Sequence, residues 1–207
     1  MKGQTNAISI ILVTGIVVGL VGTAYFWGLP LIEKRSTITK FTTAETFAKK
    51  LNEKIIDIAN SDSGHKTLDI PFGAIKVVPY SPGEESNYIL FEFEVTQPLV
   101  LNSSIVYLEE ATFEDVTSEV GVFGISSPSV LSMESEPFGD EFKIKIKIQY
   151  RELDSSDPRK GYKIVLDSIK KTGNNKVTIS YGKREVLEGQ AKNGGDLILT
   201  HINIEVV

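Results

Sequence analysis

The chain has 207 residues, two histidines, no cysteine and a formal net charge of −5. Without cysteine there is no disulfide framework and no thiolate metal site, and the acidic balance argues against a nucleic-acid surface, which carries a basic patch. Lys2 is the only charged side chain before Glu33, so the part beyond the N-terminus is one unit more acidic than the whole. That part is long enough for one well-cored domain or two small ones.

From Gln4 to Ile32 no side chain is charged. The apolar core of a secretory signal needs about 7–15 residues and a membrane span about 20. This stretch is therefore long enough to stay in a bilayer. It ends in Tyr25-Phe26-Trp27-Gly28-Leu29-Pro30, a poor match to a small-x-small cleavage site. The aromatics suit a membrane interface, and Pro30 is expected to end or kink the helix. Gly15, Gly19 and Gly22 fall at i, i+4 and i+7, on one helical face. Two readings stand: a face where helix backbones approach closely, or the general tolerance of membrane helices for glycine. Lys2 on one side and Lys34 with Arg35 on the other leave the orientation undecided.

Lys2-Gly3-Gln4, directly before a long apolar run, resembles the class III signal peptides of archaeal type IV pilin-like proteins. The resemblance covers the first 35 residues or so, by the span-length argument. It implies a cut between Gly3 and Gln4 by a prepilin-type peptidase, which leaves the helix in place as an anchor and then as a filament core. Gln at the first mature position and Leu at the ninth match an archaeal variant of the motif, here Gln4 and Leu12. Asn6 stands where serine is common, and Ile8 stands where many pilins carry a glutamate that aligns subunits during assembly.

A second, amphipathic helix is expected after Glu33-Lys34-Arg35. Thr42 and Glu45 have the spacing of a capping box. Ala44, Phe47, Ala48, Leu51, Ile55, Ile58 and Ala59 then repeat at helical spacing, with Lys49, Lys50, Glu53, Lys54 and Asp57 opposite. The polar run Asn60–Gly64 stops it. The rest reads as strands: 87–95, 142–150 and 196–207 most clearly, with shorter candidates at 66–70, 74–78, 104–110, 162–169 and 176–181. In 142–150, Phe142, Ile144, Ile146, Ile148 and Tyr150 alternate with Lys143, Lys145, Lys147 and Gln149, the pattern of a strand buried on one face. Turn signals at Pro82-Gly83, 154–158, 173–175 and 193–195 separate these runs, and the Ser-, Glu- and Pro-rich segment 111–141 reads as a long loop. The expected fold is mainly β: a membrane helix, a short amphipathic helix and an antiparallel β-sandwich. The corresponding divisions are a leader (1–3), an apolar helix (4–32), a linker with amphipathic helix (33–62) and an extracytoplasmic sandwich (63–207).

Between Lys76 and Lys143 there is no Lys, Arg or His, and from Lys143 to Arg184 the balance is basic. Cross-strand pairing within the chain is the ordinary arrangement; an acidic face meeting a basic face of the next subunit is the alternative. His65 and His201 have no metal-ligand spacing around them. Asp154 and Asp157, near Asp167, offer carboxylates of the kind that bind calcium, but the pattern lacks an EF-hand loop and a solvated turn is the expected reading. There is no phosphate-binding glycine loop, nucleophile elbow or zinc-protease motif. No cofactor and no catalytic residue is expected. Asn102-Ser103-Ser104 is a possible N-glycosylation site if the domain lies outside the cell.

These features lead to a non-enzymatic surface protein, a minor pilin-like subunit or assembly component, with the membrane and pilin-like subunits as partners. Two rivals remain. One is a single-span anchor whose sandwich contacts an S-layer protein, as archaellum stator proteins do. The other is a membrane-tethered enzyme or solute-binding module, which a deep polar pocket would favour.

Overall fold

The computed structural model describes residues 2–98, 104–108, 113–170 and 172–207. The chain opens with one helix, α1 (Lys2–Ser61), with Pro30 inside it. The expected break into two helices does not occur. No glycine or proline interrupts residues 31–61, so nothing unwinds the turns that follow Pro30. The proline removes one N–H, leaving the carbonyl of Phe26 without its helical donor, a loss that a helix can absorb where water reaches the backbone. Nor do Thr42 and Glu45 cap a helix start. Thr42 Oγ1 donates to the carbonyl of Ile38 at 3.0 Å, and Glu45 pairs with Lys49 at 2.8 Å one turn on. The helix does stop where the polar run predicts. Asp62 takes the left-handed conformation (φ 50°), and Gly64 follows at φ 114°.

Among the described residues twelve strands follow, with a one-turn helix among them. They are β1 (His65–Asp69), β2 (Ala74–Val78), β3 (Tyr88–Val95), β4 (Val106–Tyr107), α2 (Phe113–Thr117), β5 (Val120–Val122), β6 (Ser129–Phe138), β7 (Glu141–Tyr150), β8 (Glu152–Ser156), β9 (Arg159–Lys170), β10 (Thr172–Gly173), β11 (Lys176–Leu187) and β12 (Asp196–Val206). They form two six-stranded sheets, ordered β1-β11-β12-β9-β8-β5 and β10-β2-β3-β7-β6-β4. Pairing is antiparallel except at β12–β9 and β5–β8, which are parallel. His65 opens β1.

The segment 111–141 is not a loop: it contains α2, β5 and the ten-residue β6. The inward positions of β6 are Ser129, Leu131, Met133 and Ser135, all buried, so two serines hide the alternation that marks a strand. Likewise 154–156 belongs to β8, and only Asp157-Pro158 makes the turn to β9.

The second half of α1 supplies the third wall of the core. Ala44, Phe47, Ala48, Leu51, Ile55, Ile58 and Ala59 are all buried, on the stripe that their spacing predicts. They join one apolar cluster with Ile75 and Val77 of β2, Ile89 to Val95 of β3, Ile144 to Tyr150 of β7, and the inward residues of β9, β11 and β12. The register places Phe91 opposite Ile146 and Ile89 opposite Ile148, so the two central strands of one sheet bury matched pairs. Phe47 packs edge-on against Phe91 with ring centroids 5.3 Å apart. Each fully buried leucine or isoleucine contributes about 1.5–3 kcal/mol, so this stripe binds the helix to the sheets strongly. At its centre Tyr150 Oη donates to Asn52 Oδ1 at 3.0 Å, which satisfies both buried polar groups.

On the outer face of the second sheet the charges pair within the chain. Lys143 lies between Glu94 and Glu136, and Lys145 between Glu92 and Glu134, across β3, β7 and β6. Lys145 Nζ reaches Glu136 at 2.6 Å. The acidic strands β3 and β6 thus flank the lysine-rich β7 in one sheet.

Candidate functional site

Two features stand out: the bare half of α1 and a cleft between the sheets. From Ser9 to Ser36 the helix has no buried residue. Ile11, Val18, Leu20, Val21, Phe26 and Trp27 are among its exposed apolar side chains, Trp27 at 83%. It is long and apolar enough to cross a membrane, by length and composition. Residues 4–32 would span about 43 Å as a helix, against about 30 Å of hydrocarbon. Between Ser9 and Ser36 both threonine hydroxyls are satisfied within the helix: Thr14 donates to Ile10 and Thr23 to Gly19, each at 2.8 Å. The side chains therefore bring no unmet hydroxyl into an apolar surrounding from these two positions.

Gly15, Gly19 and Gly22 lie within about 60° of arc on this helix, taking 100° per residue. A Cβ placed on any of them would meet nothing within 4 Å. By contrast, at Gly195 it would lie 2.1 Å from the carbonyl oxygen of Arg159. Packing within this chain therefore explains Gly195 and does not explain the helical glycines. Gly3 and Gln4 fall in the first turn of α1. Asn102 lies outside the described residues.

The cleft, of about 1130 Å³, opens between the sheets and is lined by both. Its walls come from the turn at 80–86, from β4 and α2, from β6 and β7, and from β8, β9 and the 187–192 connection. Several charges on it are paired: Lys147 with Glu85 at 2.5 Å and Lys192 with Glu119 at 2.8 Å. Glu152 is buried and accepts the backbone N–H of Lys192 at 2.8 Å. Lys163, opposite Glu152 in the β8–β9 register, differs. Its ammonium stands over the ring of Tyr80, 4.5 Å from the centroid, and has no ion-pair partner among the described residues. Burial pushes its pKa below the ordinary lysine value, against an opposing attraction from Glu152.

Two buried polar clamps, which the sequence does not advertise, tie together elements that wall the cleft. Asn87, in the left-handed conformation at φ 66°, donates to the carbonyls of Tyr150 at 3.2 Å and Ile164 at 2.8 Å and accepts from the N–H of Leu166 at 2.9 Å. It thus joins β7 of one sheet to β9 of the other. Arg151, 5% exposed, pairs with Asp115 at 3.0 Å and donates to the carbonyls of Ser127 at 3.0 Å and Asp115. This ties α2 to the β7–β8 junction. The Asp115 carboxyl is held below the usual range, chiefly by the hydrogen bond from Ser126, with burial opposing and Arg151 adding to the depression. An asparagine before a strand is a turn signal, but its reach into a second sheet has no local signature.

His201 is nearly enclosed on the other sheet. Its Nδ1 lies 2.8 Å from Asp167 and its Nε2 3.5 Å from Glu185. Asp167 therefore belongs with His201, and Asp154 and Asp157 lie apart in β8 and its turn. Among the described residues no group of three or more His, Cys, Asp or Glu side chains is placed to hold a metal ion.

A long N-terminal apolar helix packed by its second half on β-sheets defines an architecture consistent with pilin-like proteins. Compared with known proteins, the chain matches no family model, no curated protein and no solved structure.

Proposed function

We propose that the chain is a non-enzymatic surface protein of the pilin-like kind, a low-copy subunit or assembly component. A prepilin-type peptidase cuts it between Gly3 and Gln4, the bare half of α1 stays as a membrane anchor or filament-core helix, and the β-domain stands outside the cell. The supporting observation is the continuity of α1: one helix is bare and apolar for its first half and built into the core for its second. A force or a position at the apolar end is then transmitted to the domain without a flexible joint. The open glycine face at Gly15, Gly19 and Gly22 supports close packing of this helix on another.

Terminal sequencing of the mature protein tests this reading. A start at Gln4 with the helix retained supports it; an intact Met1, or a start near Ser36, overturns it.

A second reading is favoured by Ile8, which stands where many pilins carry the glutamate that aligns subunits. A span without a carboxylate is comfortable in lipid. The protein would then remain in the membrane and present its domain to an S-layer partner. Shearing cells and quantifying the chain in filaments against membranes separates the two.

A further inference from the structure

We infer that the cleft between the sheets is a binding site for a carboxylate-bearing saccharide, with Lys163 as the carboxylate partner and Tyr80 as an aromatic wall. The inference is independent of how α1 is used.

Four observations carry it. First, the cleft lies just above the range of about 300–1,000 Å³ typical of small-molecule sites, so it has room for several sugar rings rather than one. Second, Lys147 and Lys192 are ion-paired with Glu85 and Glu119, whereas the Lys163 ammonium stands over the face of Tyr80 with no ion pair among the described residues, Glu152 attracting it only at a distance. An ammonium taken partly out of water and left without a hydrogen-bonded anion is a costly arrangement, and a ligand carboxylate would relieve it. The depressed pKa of Lys163 has the same cause. Third, the lining combines the tyrosines Tyr80 and Tyr107 with paired Lys and Glu side chains and Gln149. Aromatic faces suit the C–H faces of sugar rings, and paired charges offer donors and acceptors to hydroxyls without a net field. Fourth, the described lining is balanced in charge: Lys145, Lys147, Arg151, Lys163 and Lys192 against Glu84, Glu85, Glu119, Glu134 and Glu152. A polyanion held by charge alone would need an excess of cations. A saccharide acid that sets one of its carboxylates against Lys163, and is otherwise held through its ring faces and hydroxyls, does not.

The test is titration calorimetry on the full chain in detergent micelles with four probes: trigalacturonate, galacturonate, neutral galactotriose and acetate. Trigalacturonate is expected to bind at least tenfold more tightly than galactotriose or acetate, with galacturonate intermediate. Lys163→Met should weaken trigalacturonate at least tenfold, Lys163→Arg should restore most of it, and Lys49→Met, on the outer face of α1, should change nothing. Binding near pH 10 should take up protons, because a carboxylate beside Lys163 raises its depressed pKa; the heat will then vary with the ionisation enthalpy of the buffer. Equal binding of galactotriose, unchanged affinity in Lys163→Met, or no binding of trigalacturonate would each overturn the inference. Acetate matching trigalacturonate would overturn the saccharide assignment.

Discussion

The two stretches of α1, residues 9–36 and 37–61, share a backbone conformation and differ in everything around it. In the first, apolar side chains point in every direction and no side chain is buried. In the second, the stripe that begins at Ala44 and Phe47 and ends at Ile58 and Ala59 is buried, and charges such as Lys49, Glu53 and Asp57 take the other face. A helix that is apolar all round needs an apolar surrounding, and a striped helix needs one partner surface. Secondary structure is therefore the less informative property here: the pattern of side chains assigns each stretch to a different solvent.

Substitutions at matched positions break or sharpen this contrast. The largest effect is expected for Leu51→Ala, which empties a fully buried site between helix and sheets. It should cost about 3 kcal/mol of domain stability, measured by denaturant unfolding in micelles, while Leu20→Ala in the bare stretch should leave that curve unchanged. Equal losses at the two positions would mean that the bare stretch is also packed on its own domain.

Asn87→Ala tests whether the sheets have a seam separate from the helix. It removes three buried hydrogen bonds and leaves backbone groups of Tyr150, Ile164 and Leu166 without this partner. A loss of about 2 kcal/mol is expected, and it should add to that of Leu51→Ala in the double variant if the two seams are independent. A strongly non-additive result would show that helix and sheets open together.

A smaller effect concerns acid. The Asp115 pKa is depressed in the folded chain, so the unfolded chain binds more protons as pH falls below about 5. The stability that Asp115 contributes is complete above its unfolded pKa of about 3.9 and is lost as pH falls through its lower folded value. Asp115→Asn should lower stability at pH 7 and flatten the acid limb of a melting-temperature profile. An unchanged profile would show that the hydrogen bond from Ser126 and the pair with Arg151 do not form in solution. The stretch from residue 4 to 32 carries no acidic or basic side chain to confuse the reading.

The smallest effect on the fold is expected at Gly19→Leu. Apart from its chain neighbours and the helix's own backbone, no atom lies within 4 Å of its Cβ position, so domain unfolding should not move. Helix association should fall, because the added bulk separates backbones that would otherwise meet; cross-linking in membranes reads this directly. Unchanged cross-linking would mean that the glycine face is not an interface.

The sequence by itself determined the elements whose period is strong and whose partners are implicit in the pattern. The buried stripe from Ala44 to Ala59 and the alternating run Ile144, Ile146, Ile148 and Tyr150 could be read because each apolar residue of the pattern reports a burial that the final structure honours. The length and neutrality of residues 4–32 similarly set the need for an apolar surrounding. Other features were decided only by tertiary structure. Ser129 and Ser135 are buried in β6 because the neighbouring β7 offers a full ladder of hydrogen bonds, which outweighs a weak local pattern. The run through Pro30, the reach of Asn87 from one sheet to the other, and the isolation of Lys163 above Tyr80 depend on groups distant in the chain or on turns that cooperate. Local periodicity records which side of an element is buried. It does not record what an exposed polar group will meet across a sheet, because that distance is set by the packing of the whole domain.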